Sequence, residues 1–340
     1  MDMREIRATA RERMKGYCRV CPVCNGVACA GEVPGMGGTL SGSSFKANVE
    51  DLGKVKVRLK TIHDAKNPDI SFDFFGTKLD LPLMSAPITG TSFNMGGALL
   101  EEMYIDSVVN GSIDAGTIAM IGDSANPKNY ELGLEALKKV NGKGVPIIKP
   151  KDNKVVMEAV KKAENINAVA VGMDIDGAGL ITLALQGAPV GPKTVDELKE
   201  IISSTKLPFI LKGIMTKEEA LLAVEAGAKA IVVSNHGGRV LDSTQSTAKV
   251  LPEIAEAVKG KIMVLVDGGV RSGVDVFKML ALGADAVLIG RPIVIGAVGG
   301  YKEGVAKVIN DMKYQLLQTM ILTGAKDLAS IDKSMISIEW

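Results

Sequence analysis

Charge of one sign, long apolar runs, aromatic rings and histidine are all scarce in this 340-residue chain. Lys and Arg number 40 against 39 Asp and Glu, a formal net charge of +1. That balance excludes a strongly basic nucleic-acid binder and an acidic tail. Unbroken apolar stretches stay well under the ~18 residues of a membrane span. The N-terminus, MDMREIRATARERMK, is charged without an apolar centre and does not read as a signal peptide. The expected setting is therefore the cytoplasm, with no membrane span and no nucleic-acid partner. Aromatics make up 4%, too few for an all-β fold or a base-stacking platform. There are two His and four Cys, and all four Cys fall between residues 18 and 29.

Glycine is plentiful: 38 residues, about 11% against a usual ~7%. Residues 1–80 are irregular, with a charged helix pattern over 2–15, the cysteine run, and the glycine-rich GEVPGMGGTLSGSS (31–44). From about 81 the chain becomes rhythmic. Eight short apolar runs recur: LPLMSAPI (81–88), TIAMIG (117–122), VPIIKP (145–150), AVAVGMD (168–174), PFILKG (208–213), AIVVSN (230–235), IMVLVDGG (262–269) and AVLIGRP (286–292). They are rich in Val and Ile and apolar on both faces, as parallel strands buried on both sides read. Between them, 129–140, 153–166, 194–205, 216–227 and 274–283 carry apolar residues at helical spacing. Several open on Thr, Asp or Asn and close on Gly, as caps should. The expected fold is α/β, a (β/α)8 TIM barrel over 81–340 with an N-terminal capping segment over 1–80. An open doubly wound sheet is the alternative, disfavoured by eight regular units without a switch point. The final outer helix is expected at about 299–322, and the tail to Trp340 as a cap.

Such a barrel carries its active site at the C-terminal ends of the strands. The residues there are Thr89, Gly122-Asp123, Lys149, Asp174, Lys212, Ser234-Asn235-His236, Asp267-Gly268-Gly269 and Gly290-Arg291. Loops of this kind are polar in any barrel, but together these form a ring of ionisable groups at one mouth. DGGVRSG and IGRP bring glycine amides, helix N-termini, Arg271 and Arg291 to the place where barrels often hold a phosphate. Tight turns alone would also use those glycines. A lone His is more often structural than catalytic. His236, however, sits at a strand end before two glycines, with Arg239 three residues on, which suits a base beside a carboxylate binder. His63, in KTIHDAKNPDI, has no such context and reads as structural.

At SNHGGRVLD (234–242) and VDGGVRSGVDVFKMLALGADAVLIGRP (266–292), with LKG (211–213) upstream, the sequence resembles the FMN-dependent 2-hydroxy-acid oxidase and dehydrogenase family. Glycolate oxidase, lactate oxidase and flavocytochrome b2 belong to it. The resemblance covers roughly 81–320 and is weaker before 200. It implies an FMN enzyme that oxidises a small L-2-hydroxy acid to the 2-oxo acid, with hydride passing to flavin N5, an unnamed electron acceptor, and a homo-oligomer, often a tetramer. By resemblance, His236 is the base and Asp174 its partner. Arg239 holds the substrate carboxylate, and Lys212 stands near flavin N1/O2. Ser234 bonds the ring edge, while Asp267, Gly268, Gly269, Arg271, Gly290 and Arg291 bind the ribityl phosphate. SAPIT (85–89) resembles the first-strand segment lying against the flavin, so Ile88 and Thr89, with Gly122, join the implied cofactor contacts. The departures lie in the substrate pocket. The family's Tyr near the end of strand three is replaced by Ile148 or Lys149, MDIDGAGLITLA lacks the family's second Arg, and the aromatic after strand two is missing. Lys149 is the candidate to compensate in substrate binding. Two rival readings stand beside this one: an FMN-dependent isomerase of the type 2 isopentenyl diphosphate isomerase kind, and a non-catalytic flavin-binding protein.

CRVCPVCNGVAC sets Cys18, Cys21, Cys24 and Cys29 at C-x2-C-x2-C-x4-C. Such close spacing lets neighbouring thiolates serve one metal site. The run resembles a ferredoxin-type segment except that its last spacing is four and not three. An iron–sulfur cluster, a zinc site, a redox disulfide and unliganded thiols are the open readings; a structural disulfide suits the cytosol least. The resembled family has no such run, and its N-terminal segment lies over the barrel mouth, where a cluster could take electrons from the flavin.

Overall fold

The computed structural model describes residues 1–340. Eight parallel strands close into one barrel: Leu83–Ser85, Ala119–Gly122, Gly144–Ile148, Val171–Asp174, Phe209–Ile214, Ala230–Val233, Met263–Val266 and Ala286–Ile289. Each overlaps one of the eight apolar runs. The eighth pairs with the first, Val287 opposite Leu83 and Ile289 opposite Ser85, so the sheet has no free edge and is not an open one. Alternate residues fill the interior, among them Met84, Met120, Ile147, Ile210, Val232, Leu265 and Leu288. Their neighbours, such as Ile121, Ile148, Leu211, Val233 and Val266, face the helices. That two-residue period is why the runs read as apolar throughout.

Five expected helices form, at Pro127–Lys139, Asn153–Asn165, Val195–Ser203, Lys217–Ala226 and Gly273–Ala281. Asn126, Asp152, Thr194, Thr216 and Ser272 cap their first turns through side-chain oxygens. Two further outer helices, Glu101–Asp114 and Thr247–Val258, have no counterpart in the sequence reading. The ring closes with Arg291–Ile321, which is two helices meeting at Gly300–Tyr301; its second half is the expected 299–322 segment. No helix is long and apolar enough to cross a membrane.

The N-terminal segment does more than cover the mouth. The hairpin Phe72–Phe74/Thr77–Leu79 drives Phe74 and Leu79 into the interior cluster just before the first strand begins, and so plugs the floor. Helix Ser43–Lys54 lies over the other end: Asn48 and Asn235 exchange side-chain amide hydrogen bonds at 2.8 and 3.1 Å. In the C-terminal tail, Ile336–Ile338 pairs antiparallel with Val55–Val57 and so ties the tail to the N-terminal segment.

Candidate active site

The C-terminal strand ends open on a cavity of about 620 Å³, within the range of small-molecule and cofactor sites. Ile88, Thr89, Lys149, Lys212, His236, Arg239, Asp267, Gly268, Gly269, Arg271, Gly290 and Arg291 line it. Asp174 and Ser234 do not; they sit beneath it as buried supports. Gly122 packs against Thr89 instead of lining the cavity. His63 lies away from it, bonded to its own turn at Lys60 and Ala65.

Strand register brings the charges together. Asp174 stands directly opposite Lys212. Lys212 Nζ donates to Asp174 Oδ1 at 3.0 Å and to Ser234 Oγ at 3.2 Å, and lies 3.8 Å from Asp267 Oδ2. Lys149 Nζ donates to the other Asp174 oxygen at 2.5 Å. Burial pushes the Asp174 carboxyl up, but His236, Lys149 and Lys212 outweigh it and hold it well below the usual range. Burial likewise opposes the Lys212 charge, and Asp174, Asp267 and Asp176 more than reverse that, so its ammonium is held above its usual value. Asp267 goes the other way, because its burial exceeds what Lys212, Ser234 and His236 return.

The closest carboxylate to His236 is not the expected one. Its Nδ1 lies 3.1 Å from Asp176 Oδ1 and 3.6 Å from Asp174 Oδ1. Asp176 is reached because the fifth strand bulges between Lys212 and Ile214. Gly213, at φ +103°, leaves open the space where a Cβ would strike the Asp176 side chain. Nδ1 thus faces the two carboxylates, while Nε2 makes no hydrogen bond; a carboxylate accepting from Nδ1–H selects the tautomer in which Nε2 is the acceptor. His236 itself has φ +57°, in the left-handed region that His tolerates better than most residues. Its N–H donates to Ser234 Oγ at 3.1 Å, so Ser234 serves Lys212 and His236 together.

Three arginines surround the cavity. Arg239 Nη1 donates to the Gly35 and Gly37 carbonyls and Nη2 to Asn94 Oδ1, leaving two of its five N–H groups free. Arg291, at the cavity wall, donates to the carbonyls of Met36, Gly37 and Gly237 and lies 3.6 Å above the Phe45 ring. Arg271 is the one left with an unpartnered buried nitrogen, Nη2; Asp267 Oδ1 is likewise buried and unpartnered. Burial pushes Arg239 down to about 9 and Arg291 down to about 10, and in each a neighbouring guanidinium adds to the effect. An anion in the cavity relieves that crowding. Beside Arg271, Gly268 (φ +100°) and Gly269 (φ +79°) lie too close to Thr247 and Asn48 for any side chain, forming a bare backbone cradle. The site thus offers an anion pocket, an acceptor for a hydroxyl, a buried cation and an oriented imidazole.

The cysteines form no disulfide. No three of them bring their sulfurs within 4.8 Å of one another; the sole such group in the chain is Asp174, Asp176 and His236.

The family model described as FMN-dependent dehydrogenase matches residues 36–183 and 184–338. A peroxisomal (S)-2-hydroxyacid oxidase of Arabidopsis thaliana is 32% identical over 332 residues, covering 89% of this chain and 90% of the relative. An L-lactate oxidase of a Nostoc strain is 33% identical, covering 84% and 87%. Glycolate oxidase of Spinacia oleracea is 31% identical, covering 86% and 87%. Among solved structures, mandelate oxidase with (S)-2-phenylpropionate superposes with a TM-score of 0.77 at 27% identity, covering 99% and 97%.

Proposed function

The chain belongs to the FMN-dependent dehydrogenase family and is an FMN-dependent oxidoreductase of 2-hydroxy acids, and from that premise we propose that His236 is the base that opens the oxidation of a small L-2-hydroxy acid to its 2-oxo acid. The observation that carries this reading is the His236–Asp176 contact at 3.1 Å, which leaves Nε2 free at the wall of the cavity. Nε2 takes the substrate proton, and Asp176 and Asp174 stabilise the imidazolium that forms. Arg239, through its two free N–H groups, and Lys149 orient the substrate carboxylate. The residues fit FMN. Arg271 Nη2 and the Gly268–Gly269 cradle suit its phosphate, Asp267 Oδ1 suits a ribityl hydroxyl, and Lys212 suits the electron-rich edge of the ring. When bound, FMN supplies the two-electron acceptor. Ile88 and Thr89 provide backbone against it. The isomerase reading finds no support, because the matching relatives are hydroxy-acid oxidases.

The test is an anaerobic titration of the holoprotein with a panel of L-2-hydroxy acids, followed by flavin absorbance. Bleaching by one of them is expected and names the side chain. A flavin that stays oxidised with every acid removes the reading. Asp176→Asn is expected to slow that bleaching at least about tenfold, yet by less than the roughly 10⁴-fold seen where a lone orienting carboxylate is lost, because Asp174 remains 3.6 Å away. An unchanged rate would assign the orienting role to Asp174 alone. The cytoplasm as location, a homo-oligomer such as a tetramer, and a metal or cluster at the cysteine run complete the proposal.

A further inference from the structure

The cysteine run takes no part in the hydroxy-acid site, and the family match begins after it, at residue 36. All four thiols nevertheless border one small cavity, together with Met14, Phe45 and Ile295. We propose that Cys18, Cys21, Cys24 and Cys29 form the seat of a four-iron iron–sulfur cluster, set against the outer wall of the flavin cavity.

The sulfurs stand too far apart for one zinc. A tetrahedral zinc with bonds of about 2.3 Å holds its thiolates only about 3.8 Å apart. Here no three sulfurs come within 4.8 Å of one another, although all four face one space. A polynuclear cluster puts each thiolate on its own iron and so holds the sulfurs wider.

The backbone is arranged for the same purpose. Val20 N–H points at Cys18 Sγ, 3.4 Å away, the type of contact that tunes cluster thiolates. Val20 holds φ +45° to do so, an outlier for a β-branched residue. Guanidinium groups clasp the run without touching sulfur. Arg11 donates to the Val20 carbonyl, Arg7 to that of Cys21, and Arg271 to that of Cys24. These cations suit the net negative charge of a four-thiolate cluster. Met36 and Arg291 line both this space and the flavin cavity, so one layer of side chains separates them. Each hydroxy acid oxidised yields two electrons and two protons. A cluster at that wall passes the electrons singly to a one-electron carrier protein, reducing two carriers per oxo acid formed.

The test uses the full chain, purified without oxygen and analysed for iron, zinc and acid-labile sulfide per FMN, before and after incubation with ferrous iron and sulfide. About four irons and four sulfides per chain are expected, with an electron paramagnetic resonance signal after dithionite. Both are lost in Cys21→Ser/Cys29→Ser while FMN content holds. One zinc without sulfide, or no metal beside full flavin, overturns the proposal. If the double variant does not fold, the wild-type stoichiometry still decides. The hydroxy-acid reading fails separately, by a flavin that no acid bleaches.

Discussion

His236→Asn should leave FMN bound and cut its reduction by the hydroxy acid by about 10³-fold, within the usual contribution of a positioned general base. Asn is the informative replacement because it tolerates the left-handed backbone found at this position (φ +57°), where most residues would add strain. The ring's contacts are with Asp176 and Asp174, whereas the unpartnered groups suited to the phosphate and ribityl chain belong to Arg271 and Asp267. Binding and chemistry therefore separate. Anaerobic stopped-flow reduction beside a flavin-release assay reads both. A variant that reduces at the wild-type rate would strip His236 of the base role.

Lys212→Met should destabilise the protein by about 3–5 kcal/mol, the usual cost of breaking a buried ion pair from one side, or roughly 10 °C in Tm. Lys212 is 3% exposed, bonded to Asp174 and near Asp267, so its loss leaves buried carboxylates short of a cation. Adding Asp174→Asn should recover part of the loss. The pH dependence follows from the direction of each shift. Asp174 is held below its usual range, so its stabilisation is present above pH ~4 and disappears on acidification. Lys212 is held above its usual value, so its share is full below pH ~10 and is lost as pH rises beyond that. Asp267, pushed up by burial, has the opposite sign to Asp174 and favours the fold slightly more as pH falls. Thermal unfolding from pH 3 to 9 should show a weaker acid dependence in Lys212→Met than in the wild type. Equal Tm values would show that the two carboxylates find other partners.

The barrel was legible because strands buried on both faces leave continuous Val- and Ile-rich runs. Helix Glu101–Asp114 was not, since Asn110 and Gly111 interrupt its pattern; Gly111 is needed where Lys302 and Val305 of the long helix press against it. Helix Thr247–Val258 hides behind Pro252. In the site, His236, Lys212 and Arg271 could be read from local motifs, because each sits at a strand end or in the loop after it. Asp176 could not. Its reach depends on a bulge at Gly213 of the neighbouring strand, which no local motif announces. Arg291 lines the cavity as its strand-end position implies, but its stacking on an aromatic ring was not legible. Phe45, from a segment read as irregular, captures its side chain.

The hairpin that seats Phe74 in the barrel floor also bears on the order of events during turnover. With the barrel interior filled down to Phe74, nothing crosses it from below, and hydroxy acid and oxo acid both use the mouth at the strand ends. A small diffusible oxidant that uses the same mouth is expected to react after the oxo acid has left, which steady-state kinetics would show as parallel double-reciprocal lines.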